Sequence, residues 1–235
     1  MRREMKRARV WFLAFLAAIT VFGTIPANAT LLGTVDIEGH YNSGISDQGQ
    51  LWGGGLNGGT YYTGVYGWTN SGGTGLGTLV PNWGLCIELI QGPYNGWQSV
   101  IPLNEAPLPS QYGTPMGVVK ANYIRELWGR DFDPAWATGA NTQMAEAFNA
   151  AIWEIVYETD PWDVTSGTGF HCTIEQYATA NTWLGQLNGD TAYFAQGLVA
   201  TTTLDGQDFV VQVPEPATIA LLGLGALALV RKRRA

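Results

Sequence analysis

Two cysteines are the residues of this chain whose side chains could do the most chemistry. Cys86 lies in an apolar and aromatic segment, and Cys172 directly follows a histidine. A cysteine sulfur can act as a nucleophile, carry an acyl group or join a second cysteine as a disulfide. An even number of cysteines in an oxidising compartment favours the disulfide. The compartment in which the protein matures therefore decides how this pair is interpreted.

The other patterns give weaker indications of chemistry. His171-Cys172 offers two adjacent metal ligands, but no others stand at the spacing of a zinc site. The chain has no EF-hand loop, nucleophile elbow, P-loop or dinucleotide fingerprint. Glu154 and Glu158 could act as paired acids, although a solvated helix face explains them as well. We expect no metal, no cofactor and no catalytic site. A secreted hydrolase that uses Cys86 or the glutamate pair is the enzymatic alternative.

The amino terminus has the three parts of a secretory signal peptide. Five basic residues lie among the first nine, residues 10–23 are apolar, and Ala27-Asn28-Ala29 has the small-x-small pattern that signal peptidase reads. We predict that residues 1–29 form a signal peptide and that cleavage follows Ala29.

The carboxyl terminus also has three parts. Pro214, Glu215 and Pro216 precede the apolar residues 217–230, and residues 231–234 are basic. As a helix, the apolar part would extend about 21 Å, short of the roughly 30 Å hydrocarbon core of a bilayer. The layout resembles the PEP-CTERM sorting tail of Gram-negative bacteria. The resemblance implies that residues 214–235 hold the protein transiently in the inner membrane. An exosortase-type enzyme then removes the tail, and the protein reaches the cell surface or the medium.

Between the two terminal segments lies enough chain for one exported domain. Residues 30–213 can bury a sizeable single core. They contain three basic residues against 17 acidic ones, which gives a net charge of −14. Such a surface repels polyanions, so the composition argues against nucleic-acid binding.

The first part of this domain has the composition of β-structure. Residues 30 to about 103 are rich in Gly, Asn, Thr, Tyr and Trp. Segments of β-branched and aromatic residues predict strands at 32–38, 60–68 and 83–90. The glycine-rich segments 57–59 and 70–73 predict the tight turns between those strands.

The second part changes to helical periodicity. Residues 116–129, 142–158 and 173–187 predict three helices, the last of which begins with a capping-box pattern. Alternation returns over 201–212 and predicts a closing strand. We therefore predict an α+β fold. A glycine-rich antiparallel β-sandwich or barrel would contain an inserted helical part of about three helices and end in the closing strand.

Two segments of the domain resemble a known family. Trp83-Gly84-Leu85-Cys86-Ile87-Glu88-Leu89 and the Ala-Ile-Trp-Glu part of 149–158 resemble the thioester domain of bacterial surface adhesins, and more closely that of exported PEP-CTERM proteins. The resemblance implies that Cys86 is joined to a glutamine side chain with loss of ammonia, which creates an electrophile for surface amines. Gln207 matches the late glutamine of the family best, and Gln212 is the alternative.

Two features keep other states of the cysteines open. Adhesins carry Thr-Gln where this chain has Phe148-Asn149, and Cys172 could capture Cys86 as a disulfide. Cys86 is thus predicted as a thioester, a disulfide or a free thiol.

Together these features predict a non-enzymatic cell-surface or extracellular-matrix protein that adheres through a thioester. Its partners would be signal peptidase, the exosortase-type enzyme, and either surface amines or exopolysaccharide. The alternative is an exopolysaccharide-binding or structural matrix protein with a Cys86–Cys172 disulfide. Four of the ten tryptophans stand near Gly, Asn or Pro, where exposure is expected: Trp52, Trp68, Trp97 and Trp162.

Overall fold

The computed structural model of the chain describes residues 29–42, 44–108 and 114–215. The predicted signal peptide before Ala29 lies outside the described residues. So do Pro216, the apolar segment 217–230 and the basic end 231–234. Among the described residues, no helix combines the length and apolar character needed to cross a bilayer.

The described residues form eight strands and three α-helices. The strands are β1 Gly33–Tyr41, β2 Ser46–Gly53, β3 Leu56–Gly75, β4 Trp83–Cys86, β5 Gly96–Pro102, β6 Phe170–Thr173, β7 Leu198–Thr203 and β8 Gly206–Gln212. The helices are α1 Gly117–Asp131, α2 Thr142–Tyr157 and α3 Tyr177–Leu184.

Six of the strands close into an antiparallel barrel. They run in the order β1, β5, β7, β8, β4 and β3, and β3 pairs again with β1. Strands β2 and β6 extend the sheet beyond β3. The prediction of α+β structure with about three helices is confirmed, and a barrel is the form that the sheet takes.

The long strand β3 explains why the predicted turns are wrong. Residues 57–59 and 70–73 both lie within β3, and the first turn is instead at Gly54 and Gly55, whose φ angles are +57° and +109°. Residues 70–73 pair with β1 across a register shift, at which Ser71 is the extra, unpaired residue of a bulge. A glycine-rich segment can form either a turn or an irregular part of a strand. Pairing with a strand distant in the sequence determines which of the two it forms.

Three other predicted boundaries are also wrong. Residues 201–212 form the end of one strand and all of the next, because the chain reverses at 204–205. The capping-box pattern at 173–176 begins no helix, because Thr173 pairs with β2, and α3 starts at Tyr177. The predicted strand 83–90 ends at Cys86.

Helix α2 lies at the centre of the packing. It contacts β2, β3, α1 and α3, and every residue from Ala145 to Val156 is buried. The apolar stripe predicted for this segment is confirmed, but its polar positions are buried as well. In α1, by contrast, Val119 is 68% exposed.

Candidate functional site

Cys86 is the last residue of β4 and is fully buried. It pairs with Phe209 of β8, beside the point where the chain leaves the sheet. Its Sγ donates to the main-chain carbonyl of Glu88 at 2.6 Å, and the Glu88 N–H donates back to Sγ at 3.3 Å. Burial raises the pKa of the Cys86 thiol well above its usual range, so the sulfur is held protonated.

The side chain of Gln207 meets the same carbonyl. Its Nε2 donates to the Glu88 oxygen at 3.2 Å. Since Sγ and Nε2 share one acceptor, the two atoms are no further apart than about 5.8 Å, the sum of the two distances. The other amide atom, Oε1, is buried and has no hydrogen-bond partner among the described residues. The structure thus brings together Cys86 and Gln207, the pair that the resemblance implies.

Asn149 fixes the two strands on which this site depends. Its Oδ1 accepts from the Gly64 N–H of β3 at 3.1 Å, and its Nδ2 donates to the Cys86 carbonyl at 2.8 Å. Asn149 is fully buried on α2. The departure from the adhesin Thr-Gln pattern therefore places an amide that joins α2, β3 and β4 at the cysteine.

Aromatic side chains surround the sulfur. Trp153 of α2 is 2% exposed, and its indole N–H is near enough to lower the pKa of Cys86, although it makes no hydrogen bond among the described residues. The Tyr157 hydroxyl accepts from the Leu89 N–H at 3.2 Å. Trp83, on the same strand as Cys86, stacks with Trp128 and Phe132.

Two buried acids lie close to the thiol. Asp208 accepts from the Leu108 N–H at 2.6 Å and the Thr203 N–H at 3.0 Å, and burial raises the pKa of its carboxyl well above the usual range. Glu88 is 1% exposed. Both acids make a thiolate at Cys86 less favourable. Glu88 lies in the segment that resembles the thioester domains, but no sequence pattern predicted that the two acids would be buried, because burial is decided by the barrel.

A pocket opens at Gln207. It has a volume of about 290 Å³ and lies between β2, the middle of β3 and the segment 89–93. Gln207, Trp153 and Tyr66 form its inner wall, and Tyr61 and Tyr62 stand towards the solvent. We call it the Gln207 pocket. It provides a route from solvent to the Gln207 side chain.

The two cysteines lie in different places. Cys172 is in β6 and pairs with Leu51 of β2, so β3 and β2 stand between it and Cys86 in the sheet. Three strand spacings amount to about 14 Å, whereas a disulfide needs Cα atoms about 4.4–6.8 Å apart. Both cysteines are buried free thiols in the structure. Burial also raises the pKa of Cys172.

The alternative glutamine is not near the thiol. Gln212 lies five residues beyond Gln207 in β8, and its Oε1 accepts from the Trp128 indole N–H at 3.1 Å. Its Nε2 donates to the Gln196 carbonyl at 3.0 Å. Cys172 and Gln212 are therefore excluded from the group around Cys86 by their positions in the sheet.

The glutamates singled out in the sequence do not form a solvated face. Glu154 is 1% exposed, accepts from the Asp163 N–H at 2.9 Å, and has a pKa raised to about 7, mainly by burial. Glu158 accepts from the main-chain N–H groups of Gly169 and Phe170. The two side chains brace the segment between α2 and β6. Among the described residues, no group of His, Cys, Asp and Glu could hold a metal ion.

The expected exposure of tryptophans is correct only in part. Trp97 is 45% exposed, but Trp68 is 1% exposed and donates its indole N–H to Asn70 within the barrel wall. Trp52 and Trp162 are half-buried. The four therefore do not make a common exposed patch.

Comparison with known proteins identifies the tail. Residues 212–234 match the PEP-CTERM protein-sorting motif. The chain carries the sorting signal of an exported protein that an exosortase-type enzyme processes. Neither a curated protein nor a solved structure matches the chain. The motif includes Pro214 and Glu215, which directly follow the last strand of the barrel and Val213.

Proposed function

We propose that this protein is a non-enzymatic cell-surface or matrix protein that attaches covalently to its target through a thioester between Cys86 and Gln207. The observation that carries the proposal is the shared acceptor, because the thiol and the side-chain amide both donate to the Glu88 carbonyl. The PEP-CTERM tail supports the exported setting that the proposal needs.

The thioester would form by exchange of ammonia for sulfur. Cys86 Sγ attacks the Gln207 side-chain carbonyl carbon, the C–N bond breaks, and the thiol proton leaves with the nitrogen as ammonia. The shared acceptor keeps Sγ within about 5.8 Å of Nε2, and the attack requires Sγ to approach the side-chain carbonyl carbon to about 3–3.5 Å. The Trp153 indole N–H, which has no hydrogen-bond partner in the described part of the chain, is available to donate to a developing negative charge.

The acylated site would react once with a nucleophile. An amine adds to the acyl carbon, the C–S bond breaks, an amide bond forms and the amine proton goes to Cys86 Sγ. Cys86 is fully buried, so bulk water does not reach the sulfur, and a nucleophile approaches the acyl carbon through the Gln207 pocket. Because Gln207 is consumed, each chain acts once, and the protein is not an enzyme.

Intact mass of the protein recovered from its own host tests the proposal. We expect a mass lower by one ammonia than the processed sequence, and one adduct per chain after treatment with methylamine. Cys86→Ala and Gln207→Ala should abolish the adduct. Cys172→Ala and Gln212→Ala are the matched controls and should retain it. An intact mass equal to that of the processed sequence, with no methylamine adduct, would overturn the proposal. A mass lower by two hydrogens would show a disulfide instead.

A further inference from the structure

We infer that the Gln207 pocket binds a neutral sugar unit of a glycan and that a sugar hydroxyl is the nucleophile acylated there. The covalent step rests on the proposed function, whereas the binding step does not. The inference concerns a site on β2 and β3, apart from the tryptophans considered in the sequence.

The lining of the pocket is uncharged. None of its fourteen residues is Asp, Glu, Lys, Arg or His. A lysine side chain is charged at neutral pH, and moving it from water into such a pocket would leave it without a counter-ion. A sulfated or uronic acid unit would meet the same penalty. The lining therefore favours a neutral ligand over the surface amine of a protein.

The mouth of the pocket offers aromatic surface. Tyr61 and Tyr62 lie in the part of β3 that pairs with β2. Their side chains are 39% and 38% exposed. Tyr66, below them, is held by a 2.9 Å hydrogen bond from its hydroxyl to the Tyr62 carbonyl. Aromatic side chains with an apolar ring and a polar tip suit the mixed C–H and O–H surface of a sugar ring.

Polar groups in the pocket lack partners of their own. Within the described part of the chain, no hydrogen bond engages the side-chain amides of Asn42 and Gln48. An amide presents a donor and an acceptor side by side, which matches two neighbouring hydroxyls. At the inner wall, the buried Gln207 Oε1 also lacks a partner and can accept from a hydroxyl. A buried acceptor without a partner is costly unless a ligand satisfies it.

The size of the pocket agrees with a single sugar unit. Its 290 Å³ correspond to about ten water molecules and lie at the lower end of ligand pockets. In the covalent step, the hydroxyl oxygen bonds to the Gln207 acyl carbon, the C–S bond breaks and the hydroxyl proton goes to Cys86 Sγ. The product is an ester between the protein and the glycan.

Binding is tested with the Cys86→Ala variant of the processed protein, which cannot form a thioester. We expect at least one of three neutral polysaccharides (dextran, mannan or galactan) to quench tryptophan fluorescence in a saturable titration, and alginate not to do so. Tyr62→Ala should weaken the binding by about fivefold, as expected for the loss of one aromatic contact. Tyr177→Ala removes an exposed tyrosine on α3, away from the pocket, and should leave the binding unchanged. No saturable titration with any of the three, or equal effects of the two tyrosine variants, would overturn the inference.

The covalent step is tested in the protein with intact Cys86. We expect ester adducts with the polysaccharide that binds, at a rate that saturates, that falls in Tyr62→Ala and that is unchanged in Tyr177→Ala. Saturation with a lysine-rich peptide and none with a polysaccharide would overturn the inference and leave the thioester proposal intact. Polysaccharide binding by a protein without the ammonia loss would overturn the thioester proposal and leave the binding site intact.

Discussion

At the scale of single residues, the Glu88 carbonyl is the atom that organises the site. It accepts from both Cys86 Sγ and Gln207 Nε2, while Asn149 holds the carbonyl of Cys86 itself. These three contacts join β4, β8 and α2 within a few residues. Cys86 and Gln207 are thus positioned mainly by hydrogen bonds to main-chain atoms.

Replacing Asn149 tests this arrangement. Asn149→Leu should lower the free energy of unfolding by about 2–4 kcal/mol, because the Gly64 N–H and the Cys86 carbonyl both lose a buried partner. Urea denaturation measures the change. Asn181→Leu is the matched control, because that side chain is also hydrogen-bonded, to Val164 and Asp163, but lies away from Cys86. Only the Asn149 variant should also lose the methylamine adduct, and equal loss in both would contradict the positioning role.

Two buried glutamates of α2 predict how stability depends on pH. Burial is the largest cause that raises the pKa of Glu146 and Glu154 to about 7, from an ordinary value near 4.5. Between these values the folded protein binds more protons than the unfolded chain, so the free energy of unfolding falls as pH rises. The stabilisation should be complete below about pH 4.5 and lost by about pH 7, at about 1–3 kcal/mol for each group.

Amide variants check this pH dependence. Glu146→Gln and Glu154→Gln should each flatten the fall in unfolding free energy between pH 4.5 and 7, measured by urea denaturation at fixed ionic strength. Glu105→Gln is the control, because that glutamate lies outside α2 and its contact with Thr30 is exposed. An unchanged slope in both α2 variants would show that these carboxyls do not titrate in this range.

At the scale of elements, α1 is fixed against the segment that leads to β7. Gly129 in α1 lies directly against the Tyr193 carbonyl, where a Cβ atom would overlap main-chain atoms. Arg130 stacks on the Tyr193 ring, with 3.6 Å between its guanidinium carbon and the ring centroid, and pairs with Glu126 at 2.8 Å. Glu126 in turn accepts from the N–H groups of residues 188 and 189.

A single methyl group at this contact should be costly. Gly129→Ala should lower the unfolding free energy by about 1–3 kcal/mol, because the backbone must shift to admit the Cβ atom. Gly185→Ala is the matched control, since a Cβ atom there meets its nearest neighbour at 3.4 Å and should change stability by less than about 0.5 kcal/mol. Thermal unfolding compares the two. Equal midpoints would show that α1 does not pack closely on this segment.

At the scale of the whole molecule, a compact barrel precedes the sorting tail. Val213 is buried and donates its N–H to the Gly197 carbonyl at 2.9 Å, so packing holds the chain up to the start of the tail. Pro214 and Glu215 follow directly. Pro214 and Glu215 of the sorting motif are therefore exposed directly after the last strand of the barrel.

Altering the motif should prevent processing without affecting the barrel. Replacing Pro214, Glu215 and Pro216 together by alanine should leave the full tail on the protein and keep it in the membrane fraction of its host, as read by intact mass. Gln196→Ala, on the barrel beside this point, is the control and should be processed normally. Normal removal of the tail from the triple variant would contradict the assigned role of the motif.

The sequence by itself determined the features that depend on local pattern. The sorting tail was recognisable because three adjacent segments differ sharply in polarity, and α2 was recognisable because its apolar residues recur at helical spacing. The strand boundaries were harder to predict from the sequence. Residues 70–73 read as a turn, since nothing local shows that β1 pairs with them. The resemblance to thioester domains named Cys86 and Gln207 but left Gln212 and Cys172 open.

The tertiary structure places these residues relative to one another. Closure of the barrel sets β8 beside β4, which brings Gln207 to the carbonyl beside Cys86 and leaves Gln212 on Trp128. The same closure puts two strands between the cysteines and buries Asn149. These placements depend on contacts between residues that are far apart in the sequence. Gln207 and Glu88, for example, are separated by 119 positions. Local patterns cannot encode them, because strand order and register are properties of the closed sheet.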